Sequence, residues 1–263
     1  MKNLSLSCIF TVLFSAVFFV NCSNSNDEIG SDSILSKKLE SVRTNNGWSI
    51  KLVYDSKNNI VGLSDNDFSV SLKYNGNVLS SNAFKATIEN GKVSTFEMDD
   101  KGKEFTCKMI YNNNGKIASI SNTYGSTQND YSLIWDGNNI SKIEYRRNGE
   151  LYGWVKYTYT HYKAGYISFL YYFNPFGEFD FLDTIEESAV FYTGLCGNLS
   201  FNLPETAESW GKYKPKSFDE NNETRIRNYS YKVNDDNYPT EIYIIGSDFI
   251  DDKIDENLIV SWK

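Results

Sequence analysis

The sequence predicts an all-β protein, an antiparallel up-and-down meander of roughly 12 to 14 strands curled into a soluble barrel or half-barrel, with one short helix near residues 184–193. Three observations carry this expectation. Asn75-Gly76, Asn90-Gly91, Asn114-Gly115, Asp136-Gly137 and Asn148-Gly149 are dipeptides that accept the positive φ of tight hairpin turns. Gly102, Gly125, Gly165 and Gly177 continue the punctuation at strand-length intervals. Between the breaks, runs such as Ser71-Leu72-Lys73-Tyr74, Tyr131-Ser132-Leu133-Ile134-Trp135 and Trp154-Val155-Lys156-Tyr157-Thr158-Tyr159 interleave aromatic or β-branched residues with polar ones. That alternation gives each strand one apolar face and one solvated face.

Along the chain, the first segment is an export signal. Lys2 supplies a positive start, Leu4 to Val20 is almost continuously apolar, and the run ends at Asn21-Cys22. A membrane-spanning helix of this length usually carries more flanking positive charge than one lysine. Phe19-Val20-Asn21-Cys22 resembles the lipobox of bacterial lipoproteins, although the leucine three residues before the cysteine and the small residue just before it are replaced by Phe19 and Asn21. The resemblance implies cleavage after residue 21 and lipid attachment at Cys22. Ser23 to Glu28 is polar throughout, as a tether holding a domain off a membrane would be. The expected organisation is therefore a signal peptide over 1–21, a lipidated flexible tether over 22–45 and a single β domain over 46–263.

Loss of Lys2 with the signal takes the formal charge from −8 to −9. Phosphate binding needs clustered Lys and Arg, so nucleic acid is excluded as a partner. An aromatic content of 16% with few prolines is too rich in core-forming residues for a disordered chain. Cys8 leaves with the signal and Cys22 takes the lipid, so Cys107 and Cys196 remain in a compartment that permits disulfides. Cys107 alternates with Phe105 and Met109 on one strand face, the position of a small buried hydrophobe. Two buried free thiols are expected rather than a bridge.

A hairpin-sized repeat runs through the chain. An aromatic and an Asp or Asn precede the turn, and apolar residues follow it three apart: Tyr54-Asp55 with Ile60 and Leu63, Tyr111-Asn112 with Ile117 and Ile120, Trp135-Asp136 with Ile140 and Ile143. A spacing of three breaks the two-residue alternation of a strand, which predicts a bulge after each turn. The pattern resembles the tyrosine-aspartate repeats of bacterial Rhs-type shell proteins, a likeness of hairpin physics. Asp183-Thr184-Ile185-Glu186 has the form of a capping box before Ser188 to Thr193 and a stop at Gly194, with Ile185, Ala189 and Tyr192 on one face to cover the interior. From Cys196 to about Arg225 the sequence reads as loop, with strands resuming at Tyr229.

Tyr231 to Ile242, together with Ala189 to Gly197 and Asn202-Leu203-Pro204, resembles a Bacteroidetes lipoprotein family of unknown function described as having a porin-like fold. The resemblance implies the architecture from about Trp48 to Trp262 and no activity, because the shared motifs are turns and packing positions. A membrane channel is not implied: a lipid-facing strand face must be apolar, and Lys142, Glu144 and Arg146 interrupt it.

The search for chemistry is mostly negative. His161 is the only histidine, which excludes His-rich zinc sites and leaves one residue for any Ser-His-Asp triad. No nucleophile elbow, phosphate loop or dinucleotide fingerprint occurs. Asp65 with Asp67, Asp99 with Asp100, Asp235 with Asp236, and Asp248 to Asp252 with Asp255 are acidic clusters that suit calcium or a glycosidase pair, and equally suit solvated turns. Tyr152, Trp154, Tyr157 and Tyr159 lead a tyrosine-rich stretch running through Tyr162, Tyr166, Tyr171 and Tyr172. Such rings suit a glycan or peptide surface, and equally fill a curved sheet. The expectation is a non-catalytic envelope lipoprotein at the outer membrane that binds or scaffolds, without metal or cofactor. Its partners would be the membrane, through its lipid, and a glycan or another envelope protein. The alternatives are a glycan-binding module on Tyr152, Trp154, Tyr157 and Tyr159, and a carboxylate-dependent glycosidase.

Overall fold

The structure is a computed structural model that describes residues 38–45, 47, 49–65, 69–100, 103–165, 185–197, 200–212, 224–247 and 254–263. The expected signal, Cys22 and most of the expected tether lie outside the described residues.

Seventeen strands form one antiparallel sheet. In chain order they are β1 Leu39–Thr44, β2 Ser49–Tyr54, β3 Ile60–Ser64, β4 Ser69–Ser71, β5 Lys73–Asn75, β6 Val78–Ser80, β7 Phe84–Glu89, β8 Lys92–Asp100 and β9 Lys103–Tyr111. Then follow β10 Ile117–Tyr124, β11 Thr127–Asp136, β12 Asn139–Arg147, β13 Glu150–Lys163, a helix α1 Ile185–Tyr192, β14 Asn202–Gly211, β15 Arg225–Val233, β16 Pro239–Gly246 and β17 Ile254–Trp262. Each strand pairs with the next, except β4 with β5. The ring closes through β1, where Val42 lies opposite Ile50 of β2 on one side and Val260 of β17 on the other. A closed ring in which every pair is antiparallel needs an even number of members. It is met because β4 and β5 are two halves of one run interrupted at Leu72, the first paired with β3 and the second with β6. The count exceeds the expected 12 to 14 because the short strands β3 to β6 carry too few residues to show a period.

The five Asn-Gly and Asp-Gly turns named above each join neighbouring strands. At Asn90-Gly91 and Asn148-Gly149 both residues have positive φ (52° and 75°, 48° and 82°), the signature of a hairpin turn whose twist matches the strands. Three longer turns share one design. Asp55, Asn112 and Asn234 each accept two backbone N–H groups through Oδ1, and the residue three further on, Asn58, Gly115 or Asn237, has φ of 65–70°.

The predicted bulges are present, and they repeat. On strands leaving the end of the barrel at which Lys38 and Lys263 bond each other's backbones, the register skips Glu40, Val61, Ser94, Ala118, Ser141, Glu205 and Thr240. The carbonyl just before each skipped residue accepts a hydrogen bond from an aromatic side chain on the hairpin's second strand. Tyr54 donates to Leu39, Tyr74 to Ile60, Tyr111 to Val93, Trp135 to Ile117, Tyr159 to Ile140, Tyr231 to Pro204 and Trp262 to Pro239. A bulge takes a carbonyl out of the ladder, and the polar tip of a ring whose body packs on the core restores its partner.

The inward side chains are the core. Every strand except β5 contributes to one cluster of side chains no more than 7% exposed. A ring of this many strands with an open round section would enclose an aqueous channel, whereas this inward face is closed by its own residues and by the helix. Ala189, Val190, Phe191 and Tyr192 are all buried, so the second half of α1 is enclosed on every side and lies against β3, β4 and β7. The expected face of Ala189 and Tyr192 is buried, and Val190 and Phe191 beside it are buried too. Asp183 and Thr184 lie outside the described residues.

Two further corrections concern strand limits. β1 occupies Leu39–Thr44, within the segment read as tether, because its buried Leu39 and Val42 are three apart across a bulge and show no alternation. Residues 202–211, read as loop, form β14. Its Pro204 sits beside the bulge, where a missing N–H is tolerated, and β15 begins at Arg225 rather than Tyr229.

Candidate functional site

Strand β13 divides the four aromatic residues singled out in the sequence. Val155 and Tyr157 are buried and point inward, so Trp154, Lys156 and Thr158 point outward. Tyr157 is enclosed in the core, and burial foremost holds its phenol well above the ordinary range. Tyr159 faces the rim with its hydroxyl committed to the Ile140 carbonyl and to Ser200. Tyr152 occupies the bulge opposite Tyr145 and Arg146, with its ring edge-on to Tyr145 at 5.4 Å and Arg147 over it at 5.6 Å. Of the four, Trp154 presents its ring on the outer wall. A common surface of Tyr152, Trp154, Tyr157 and Tyr159 is not formed.

Trp154 has a partner that sequence reasoning missed. In the register of β13 and β14 it lies directly opposite Trp210, a residue in the stretch read as loop. The signal that could have found it is the order Ala207-Glu208-Ser209-Trp210, which on a strand sets Glu208 and Trp210 on one face. Across β12 to β14, two outward rows run side by side: Glu144, Trp154 and Trp210, and next to it Lys142, Lys156 and Glu208. Lys156 Nζ lies 4.5 Å and Lys142 Nζ 5.9 Å from the centre of the Trp154 ring. Lys142 also donates to Glu144 at 2.7 Å, and Arg146 lies 3.7 Å from the other oxygen. The Lys142 hydrogen bond is the main cause of a Glu144 carboxyl held below its usual range. Two lysines directly opposite one another repel. The shared indole face and the flanking carboxylates offset that repulsion.

The other residues singled out in the sequence are dispersed. His161 is exposed, its ring 4.2 Å from that of Tyr162, the place of a strand-surface histidine. Cys107 and Cys196 are buried free thiols as expected; Cys196 Sγ lies 3.7 Å from Met109 Sδ, and burial pushes the Cys107 thiol up to about 12. Asp235 and Asp236 are exposed on the β15–β16 turn, at the end of the barrel opposite Asp65 and the β8–β9 turn. Asp67 and Asp248 to Asp252 lie outside the described residues. Among the described residues no group of three or more His, Cys, Asp or Glu side chains is placed to hold a metal. A depression of about 480 Å³ opens beside the β6–β7 turn, with Phe84, Met98 and Phe105 beneath and the cross-strand pair Lys85 and Glu97 beside them.

These features define a nearly closed, all-antiparallel β-barrel with an apolar filling and a charged, aromatic outer wall. The fold is porin-like. It is similar to the crystal structure of a porin-like protein from Bacteroides uniformis, with a TM-score of 0.60 and 10% identity over 86% of this chain and 98% of that one. No protein-family model and no curated protein matches the sequence.

Proposed function

We propose that the protein is a non-catalytic lipoprotein of the cell envelope, held at the outer membrane through Cys22, whose barrel stands in water and acts by binding or scaffolding. The observation that carries this reading is the polarity of the barrel wall. The inward face is apolar and closed, and the outward face carries exposed Lys51, Lys85, Lys108, Lys156 and Lys232 among outward apolar residues such as Val53, Ile110 and Ile134. A barrel that spans a membrane has the opposite arrangement, an unbroken apolar band outside and a wet interior. The porin-like neighbour from Bacteroides supports an envelope location. Among the acidic groups named in the sequence, Asp235 and Asp236 stand at one end of the barrel, with Asp65 and Asp99-Asp100 at the other. That separation weighs against a glycosidase drawing its two carboxylates from these groups.

The test is fractionation of cells expressing the full chain. The wild-type protein is expected in the membrane pellet, and Cys22→Ser carrying a non-lipoprotein export signal in place of residues 1–21, whose cleavage does not need Cys22, in the soluble fraction. Retention of Cys22→Ser in the membrane would overturn the reading, since strands or another anchor would then hold the barrel there.

A further inference from the structure

We propose that the turn at Asn90-Gly91 is a site of covalent self-modification, where Asn90 deamidates to aspartyl and isoaspartyl residues ahead of the other Asn-Gly pairs among the described residues. In this reaction the backbone nitrogen of the following residue attacks the side-chain amide carbon. The bond from Gly91 N to Asn90 Cγ forms, the Cγ–Nδ2 bond breaks, and the proton of the attacking nitrogen leaves with Nδ2 as ammonia. Water then opens the cyclic imide at either carbonyl, giving Asp or its β-linked isomer. The chemistry needs water alone, a side-chain amide free to turn, and a following N–H that is not held elsewhere.

Two turns of one backbone geometry make the comparison. Asn90-Gly91 and Asn148-Gly149 both have positive φ throughout, and each is closed by a strand pair, Glu89 with Lys92 and Arg147 with Glu150. They differ in what holds the asparagine. Asn148 accepts the Gln128 N–H through Oδ1 at 2.9 Å and donates its own N–H to the Gln128 carbonyl at 2.8 Å, so its amide is clamped to β11. Asn90 is exposed, and among the described residues neither its side chain nor the Gly91 N–H has a hydrogen bond. A Cβ built on Gly91 would meet nothing within 4 Å, so the space beside the attacking nitrogen is open. At Asn114-Gly115 the nitrogen itself is engaged, since Gly115 donates to the Asn112 carbonyl at 2.9 Å while Asn112 Oδ1 holds the Asn114 N–H. Asn75 lies in the ladder opposite Val78, which fixes its backbone. The modification also reaches past its own turn. The β-linked isomer adds a backbone carbon to a two-residue turn whose twist matches its strands, which loosens the pair of Glu89 and Lys92. Lys92 in turn donates to the Gly115 carbonyl and lies 5.3 Å from the centre of the Tyr111 ring, so the next hairpin loses a contact.

The full chain, purified in detergent, is aged in mild alkali and mapped by peptide mass spectrometry, with enzymatic methylation to count isoaspartyl groups. Conversion at Asn90 should run about fivefold or more ahead of Asn114 and Asn148, the population factor for opening one ordinary hydrogen bond. Aged in guanidinium chloride, where turns and clamps are gone, the same sites should convert at similar rates. Asn112→Ala, which frees the Asn114 N–H and loosens its turn, should raise conversion at Asn114 in the folded protein. Asn90→Gln, whose longer side chain must close a larger ring, should leave position 90 unconverted while the other sites keep their rates. Equal rates at Asn90 and Asn148 in the folded protein overturn the proposal. So does faster conversion at Asn75, or an ordering of sites that persists in the unfolded chain.

Discussion

Replacing Tyr111 by phenylalanine isolates one copy of the repeated link between a rim ring and a bulge. The substitution removes one oxygen and leaves the ring on the core. That oxygen donates to the Val93 carbonyl at 2.7 Å and lies 3.7 Å from Met109 Sδ. Burial foremost, then the neighbouring Cys196 and Cys107 sulfurs, holds the phenol far above its ordinary range, and the hydrogen bond itself is partly buried. Loss of a buried hydrogen bond of this kind removes about 1 kcal/mol of net stabilisation, and an acceptor left without a partner costs about 1–3 kcal/mol. A cost near 2 kcal/mol, about the middle of the range for an acceptor left unpaired, is a large share of the roughly 5–15 kcal/mol that holds a domain folded. At about 2–4 °C per kcal/mol for a domain of this size, the melting temperature should fall by about 4–8 °C. Urea unfolding followed by circular dichroism gives the free energy directly, and an unchanged slope shows that the unfolding reaction is the same. The control is Tyr243→Phe, whose hydroxyl bonds Glu241 on the outer wall and whose loss should change stability by less than about 0.5 kcal/mol. If Tyr111→Phe is no more destabilising than Tyr243→Phe, the aromatic links do not hold the bulges and the reasoning is refuted.

Gly246 has φ of +148°, and a Cβ placed there would lie 2.1 Å from the Ile226 carbonyl oxygen and 2.9 Å from Arg227 Cα, both backbone. Gly246→Ala should therefore open the β15–β16 pairing and cost about 3 kcal/mol or more; a stable alanine variant by urea unfolding would contradict the close approach. The rim tyrosines predict alkaline sensitivity. The Tyr74 ring is partly exposed, but its hydroxyl is tucked against the Ile60 carbonyl, and burial first, then Asp55, pushes its pKa from 10.0 up to about 12. Burial moves Tyr111 and Tyr231 in the same direction. The folded state thus keeps protons that the unfolded chain releases, so stability is intact below pH 10 and falls as pH rises from 10 towards 12. A pH series of urea midpoints should bend downward in that window while tyrosinate absorbance lags that of the denatured protein, and flat midpoints to pH 12 would contradict it.

What was legible in the sequence is what local chemistry decides. Asn90-Gly91 and Asn148-Gly149 announce their turns because few other residues tolerate their backbone angles. The interval of three between Ile117 and Ile120, or Ile140 and Ile143, announced a bulge because strand side chains otherwise alternate by two. The same interval hid β1, where Leu39 and Val42 are the two buried positions and show no alternation, although Asn46-Gly47 follows the strand. β14 was hidden by Pro204, which argues against a strand until its place beside the bulge is known. The pairing of Trp154 with Trp210 was half visible. The aromatic crowding from Tyr152 to Tyr159 showed in the sequence, but alternation and a bulge send Tyr157 and Tyr159 away from Trp154. The true neighbour, Trp210, arrives through pairing with a strand more than fifty residues later. Closure of the ring through β1 and β17 is likewise a contact between distant segments that no local pattern encodes.

The filled interior is tested most directly by the thiols inside it. Cys107 and Cys196 are 0% and 2% exposed, and in the proposed mature lipoprotein, with Cys8 lost with the signal and Cys22 carrying its lipid, they are the two remaining thiols. Treated with a small water-soluble maleimide, the native protein should stay unlabelled over a time in which the urea-unfolded protein takes up two labels. Labelling of Cys107 in the native protein at the rate of the unfolded chain would mean that water fills the barrel.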